Sequence, residues 1–150
     1  MTRLKTLVFA VLTLCASPLA AQQVFECDWR ARADSIVEPW DENSRSFANG
    51  DVRIALLDTI EPAGGAYHFL VLSPPYDEVG GRQCRVLSLD EGLGFAGVDF
   101  STLEASYDPS VGLVFLVDVG LYDGETGTSK PQRLVFTLNQ STGGIGAFWP

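Results

Sequence analysis

From residue 24 onward, proline, glycine and turn-forming aspartate, asparagine and serine cut the chain into short apolar runs. Breakers spaced so closely leave no room for a long amphipathic helix, and strands become the default regular structure. Residues 67–89 show the pattern most fully and mark the expected centre of the fold. Two apolar runs, 67–73 and 84–89, flank Pro74-Pro75 and Gly80-Gly81, and the span holds Cys84 and the single histidine, His68. Pro74-Pro75 is expected to end the first run, because proline cannot donate to a sheet ladder and fixes its own backbone.

The other runs obey the same rules. Residues 24–32 alternate, with Phe25, Cys27, Trp29 and Ala31 on one side and Glu26, Asp28, Arg30 and Arg32 on the other. That is the period of a half-buried strand, and it turns Cys27 inward. Residues 34–50 read as a connection with one short helical turn at most. At 52–59, Val52, Ile54 and Leu56 share a face while Ala55 and Leu57 make the opposite face apolar as well, which predicts cover on both sides. Runs at 95–100 and 103–107 precede Asp108-Pro109-Ser110, a turn sequence that leaves Gly112 free to adopt a left-handed backbone. The run 113–121 is the most apolar, with Phe115, Val117 and Val119 facing one way and Val114 and Leu116 the other. A polar loop at 123–132 leads to a last hairpin, 133–140 and 145–149, and Trp149 is in phase with Ile145 and Ala147, a core or interface position. No segment repeats another's residues, which argues against a solenoid or propeller. Together these features predict an all-β fold: a single-domain antiparallel sandwich or small barrel of roughly seven to nine strands over residues 22–150.

The first 21 residues differ in character. Arg3 and Lys5 precede an apolar run at 7–15, followed by Ser17-Pro18 and the small pair Ala20-Ala21. This predicts a cleavable signal helix, cut after Ala21, whose apolar run is too short to span a bilayer. Leu14 ahead of Cys15 does not supply the small residue that lipoprotein cleavage requires. The expected destination is the periplasm or the medium. Three cysteines then become two, Cys27 and Cys84, and an even pair in an exported chain predicts a disulfide between them, inside the domain. The net charge of −9 deepens to −11 once Arg3 and Lys5 leave, with 8 basic against 19 acidic residues. Such a surface repels phosphate backbones and anionic headgroups, which disfavours nucleic acid and favours a cationic or neutral partner.

Residue chemistry points to binding more than to catalysis. One histidine, mid-strand between apolar neighbours, is expected to be a bonded core or rim residue, and no serine sits in a GxSxG elbow. Histidine and thiolate clusters for zinc are absent, and no cofactor motif is present. Asp118, Asp123 and Glu125 lie near the glycine-containing loop at 123–127, but their spacing departs from a calcium loop and reads as turn chemistry. Asn139-Gln140-Ser141 is a sequon, coincidental in a bacterium.

The most informative pattern pairs a loop aromatic with an acid: Trp40-Asp41 and Tyr76-Asp77, each after a proline, then Tyr107-Asp108 and Tyr122-Asp123 at strand ends. A ring beside a carboxylate can stack on a sugar or a guanidinium while the acid accepts hydrogen bonds. The expected function is that of an exported, non-enzymatic envelope protein engaging a cationic protein or a glycan through Trp40, Asp41, Tyr76, Asp77, Tyr122 and Asp123. Two alternatives stand beside it: a small envelope hydrolase using His68 or a carboxylate pair, and an assembly component that pairs through an edge strand.

Overall fold

Alternation along the strands decides how the chain is layered. In β3 (Val52–Asp58), Val52, Ile54 and Leu56 enter one core cluster and Ala55 and Leu57 another, so both faces are covered. The computed structural model describes residues 23–150, and the expected signal helix at 1–21 lies outside them. β3 pairs antiparallel with β2 (Ser44–Phe47) and β4 (Tyr67–Tyr76); β5 (Arg82–Ser88) and β1 (Gln23–Glu26) complete a first sheet of order β1-β5-β4-β3-β2. β6 (Gly97–Asp108), β7 (Gly112–Asp123), β8 (Thr128–Leu138) and β9 (Ile145–Phe148) form a second antiparallel sheet in sequence order. The described chain is all-β, with two sheets.

Their inner faces share one core. Val52, Ile54, Phe69, Val71 and Leu87 of the first sheet meet Phe115, Val117, Leu134, Phe136 and Leu138 of the second. Phenylalanines run through it as a chain: Phe47 against Phe115 at 5.0 Å between centroids, Phe115 stacked on Phe136 at 4.8 Å, Phe136 to Phe69 at 5.8 Å, and Phe69 to Phe95 at 5.7 Å. Phe115, Val117 and Val119 face inward as the alternation predicts, and Trp149 packs partly buried against the same cluster. Gly112, at φ +103, makes the β6–β7 turn with the left-handed backbone expected of it.

Several boundaries differ from expectation. β4 runs through Pro74-Pro75 to Tyr76, because the ladder with β5 shifts register between Ser73 and Tyr76 and demands no amide donor there. The runs at 95–100 and 103–107 belong to one strand, β6, with an irregularity between Asp99 and Glu104. The polar loop at 123–132 is mostly hairpin, since the β7–β8 ladder extends to Asp123 and Thr128. The connection at 34–50 conceals β2, whose Phe47 supplies the first ring of the core chain.

The largest correction falls on residues 24–32. β1 ends at Glu26, and Asp28 caps a 3-10 turn over Trp29–Ala31 by accepting the Arg30 amide at 3.0 Å. That turn reverses the predicted sides: Trp29 is 63% exposed and Arg30 only 4%. Residues 27–37 therefore cross the outer face of the first sheet as a strap, anchored by a backbone bridge from Ile36 to Leu57. Cys27 and Cys84 are disulfide-bonded as predicted. The bridge lies on the outer face, where both cysteines pack partly buried against Ala55, Leu57, Leu70 and Val86, and not between the sheets.

Candidate functional site

The outer face of the first sheet is laid out in rows fixed by strand register. One row runs Ser44, Ala55, Leu70, Val86 and Phe25, the next Ser46, Arg53, Leu72 and Cys84. The strap covers the β1 and β5 end of these rows and reaches β3 at Leu57, so that Ala55 and Leu70 are nearly buried, while toward the β2 edge Ser46 and Arg53 are exposed and Ser44 and Leu72 half-buried. Trp40, in the turn that precedes β2, stands at that boundary with 55% of its surface exposed. Its turn is closed by the Glu42 and Asn43 amides donating to the Pro39 carbonyl, both at 3.2 Å.

Trp40 walls two open grooves. One, of about 390 Å³, has Ala55, Leu70 and Leu72 in its floor and Asp41, Ser44, Ser46 and Arg53 among its polar lining. The other, of about 640 Å³, is bounded by the strap residues Asp34 and Ile36, by Glu38 just beyond the strap, by Asp58 at the end of β3 and by Ile60 after it. Ile60 is 77% exposed and held at φ +70, a left-handed backbone unusual for a β-branched side chain. Both volumes fall within the roughly 300–1,000 Å³ typical of small-ligand sites.

The three expected aromatic and acid pairs are not brought together. Tyr76 lies at the far end of β4, its hydroxyl donating to Asp51 at 2.7 Å, a bond that raises its pKa. Asp77 closes the turn to β5, accepting the Val79 amide at 3.0 Å and the Gly81 amide at 2.6 Å. Tyr122 sits on Gly64, in the loop before β4, where a Cβ would come within 3.0 Å of the ring. About ten residues of β4 therefore separate Tyr76 from Tyr122, on the order of 30 Å. Asp123 is bonded by Lys130 at 2.7 Å and accepts from the Glu125 amide and the Thr126 hydroxyl, contacts that together lower its pKa. Two of the three acids are thus already engaged in their own turns. Tyr76 and Asp77 line a separate open cavity of about 580 Å³ with Arg82 and Cys84, and Tyr122 another of about 510 Å³ with Leu93 and Ser129. Trp40 and Asp41 line the groove beside Ala55 and Leu70, and among the described residues the Asp41 carboxylate has no hydrogen-bond or ion-pair partner.

Asp118 is held in a two-bond pair by Arg133, with Nε to Oδ1 at 2.8 Å and Nη2 to Oδ2 at 3.0 Å, which lowers its pKa. Asp123 is likewise paired with Lys130, so two of the three acids at 118–127 face cations of the chain itself. Among the described residues no three His, Cys, Asp or Glu side chains gather as a metal set, and no helix is long and apolar enough to cross a membrane.

His68 is 3% exposed beneath the strap. Its Nδ1 is 2.7 Å from Ser88 Oγ, and its Nε2 is 3.5 Å from Thr59 Oγ1. Arg30 reaches the Ser88 hydroxyl as well, donating from Nη1 at 3.2 Å, while its Nε and Nη2 hold the Asp28 carboxylate and its guanidinium lies 4.6 Å from the Phe25 ring centroid. Ser88 accepts from Arg30 and can donate its proton to a neutral imidazole, so the buried polar atoms satisfy one another. Burial first, and the Arg30 charge second, lower the His68 pKa to about 4. A serine beside a histidine suits nucleophilic chemistry only if substrate can reach it, and Ser88 is fully buried. The network pins the strap to the sheet. Sequence reasoning passed over Arg30 and Ser88; the signal available was Asp28, a capping residue that breaks the strand it was counted in.

This arrangement makes folding stability depend on pH. An unfolded imidazole titrates near 6.5 and the folded one near 4, so below pH 6.5 the unfolded chain takes up a proton that the folded chain refuses. Stability should fall as pH drops from about 6.5 to about 4, by about 3 kcal/mol in total, then level off for this group. Urea unfolding across that range, compared with His68→Gln, checks it: the difference between the two proteins should narrow with falling pH, and parallel curves would dismiss the His68 contribution.

The remaining edges bear on strand pairing. β1, β2 and β9 are four residues each, and the long edge β6 has its Leu103 and Ser101 carbonyls accepting from Arg45 at 2.7 and 3.4 Å. Short edges and a side chain laid along the long one are devices that oppose edge-to-edge association. In comparisons with known proteins, no family model matches the chain, and no curated protein or solved structure matches it either.

Proposed function

We propose that this is an exported, non-enzymatic binding protein of the cell envelope, which engages its partner on the outer face of the first sheet around Trp40. One observation carries the reading: an indole 55% exposed at the open end of a covered sheet face, between two grooves, beside a carboxylate with no partner among the described residues. A large apolar ring left in water beside an apolar floor has surface to gain from a ligand. The Cys27–Cys84 disulfide supports an oxidising compartment, in keeping with the signal features of residues 1–21. The partner classes are those the charge admits, a glycan of the envelope or a cationic protein.

The contact surface narrows from six residues to the Trp40 and Asp41 turn. Tyr76 and Tyr122 close strand ends and brace Asp51 and Gly64, which accounts for them without a ligand. The test is retention of envelope glycans and basic envelope proteins on the immobilised full chain. Trp40→Ala should weaken whatever binding is seen by about tenfold or more, or about 1.4 kcal/mol, whereas Tyr122→Phe should leave it unchanged. Loss with Tyr122→Phe and not with Trp40→Ala would move the site elsewhere.

A further inference from the structure

The two sides of Trp40 differ in what they offer a ligand. On the strap side the titratable groups are Asp34, Glu38 and Asp58. Two of these are already used, Asp34 by Arg32 at 2.6 Å and Asp58 by the Ile60 amide at 2.7 Å. On the sheet side the polar groups are less engaged. Arg53 makes a single bond among the described residues, Nε to Ser46 Oγ at 3.4 Å, which leaves its Nη1 and Nη2 without a protein partner. The Asp41 carboxylate and the Ser44 hydroxyl have none either.

These unmatched groups have a common complement. A guanidinium donates parallel N–H bonds, a carboxylate accepts, and a hydroxyl does both, which matches neighbouring hydroxyls on a ring. One acid and one base cancel, so the groove favours neither sign: a cation meets Arg53 and an anion meets Asp41. The floor of Ala55, Leu70 and Leu72 is apolar, and the Trp40 ring can take the C–H face of a pyranose. We infer that the groove between Trp40 and the β2–β4 face binds a neutral saccharide, with a sugar ring against the Trp40 indole and its hydroxyls shared among Asp41, Ser44 and Arg53. This rests on the binding reading above and names the ligand class for the same surface.

The test uses the full exported chain, indole fluorescence and calorimetry, and three sets of probes: neutral trisaccharides of glucose and of N-acetylglucosamine, a tri-lysine peptide, and a trigalacturonate. The expected result is saturable binding of a neutral trisaccharide that changes little between about 0.05 and 0.5 M salt. Trp40→Ala and Arg53→Gln should each weaken it by about tenfold or more, with unchanged melting curves because both side chains are exposed. Salt-sensitive binding of tri-lysine lost in Trp40→Ala, with no neutral sugar bound, would overturn the saccharide and leave the Trp40 surface standing. The same pattern with trigalacturonate, lost in Arg53→Gln, would overturn neutrality. If no probe binds, or binding survives Trp40→Ala, the saccharide inference fails, and survival of binding removes the Trp40 surface with it.

Discussion

Phe136→Ala is expected to destabilise the protein by about 3–5 kcal/mol, the range for truncating a buried phenylalanine. Phe136 is fully buried at the middle of the ring chain, stacked on Phe115 at 4.8 Å and tilted against Phe69 at 5.8 Å. Its removal takes away the transfer free energy of the ring and the aromatic contacts on both sides, and it leaves a cavity between two ladders that cannot collapse inward. For a chain of this size the loss corresponds to a fall in melting temperature on the order of 15 °C. Phe148, 45% exposed in β9, is the internal comparison, and Phe148→Ala should cost less than about 1 kcal/mol. Thermal unfolding of both variants decides it. Equal losses would mean that the two sheets do not close over the phenylalanines.

Replacing both Cys27 and Cys84 by alanine should lower stability by about 4 kcal/mol in the chain-entropy model for a loop of this length. The bridge spans a sequence separation of 57 and encloses β2, β3 and β4. Its chief action is on the unfolded chain, so the far-ultraviolet spectrum of the folded variant should match that of the parent at room temperature. In the folded state the consequence should be local. β1 pairs with β5 over four residues only, and the strap beyond it has the Arg30 network and the Ile36 bridge as its remaining ties. Hydrogen exchange at residues 27–37 should accelerate more than at β3 or β4. A variant with the parent's urea midpoint would show that the bridge contributes nothing.

Much of the fold was legible because strands announce themselves by period. The faces of β3 and β7 could be assigned from alternation alone, and the glycine at 112 and the pair Cys27 and Cys84 each had one sensible role. Where the structure departs from the alternation, each departure has its own local cause. At Asp28, a local capping bond overrode a clean alternation and put Arg30 beneath the strap and Trp29 in water. At Pro74-Pro75, an irregular register removed the need for amide donors that the prolines lack. β2 was hidden because only four residues pair, and Arg45 and Ser46 are polar as befits an edge.

The candidate site was legible only in part. Sequence could list aromatics beside acids, but an acid bonding its own turn and an acid left open look alike in one dimension. Asp77 and Asp123 are turn acids in the folded chain, whereas Asp41 opens onto a groove. The floor of that groove comes from β3 and β4, distant in sequence from Trp40, so only the strand register could bring Ala55, Leu70 and Leu72 beneath it.

Where a ligand touches this molecule decides whether the Trp40 face is its binding surface. The most direct measurement is an amide chemical-shift titration of the full chain with the tightest-binding neutral trisaccharide. Shifts should concentrate in residues 38–46 and at Arg53, Ala55, Leu70 and Leu72, with the loops at 76–82 and 122–128 unmoved. Shifts confined to those two loops, with the Trp40 indole signal unchanged, would contradict it.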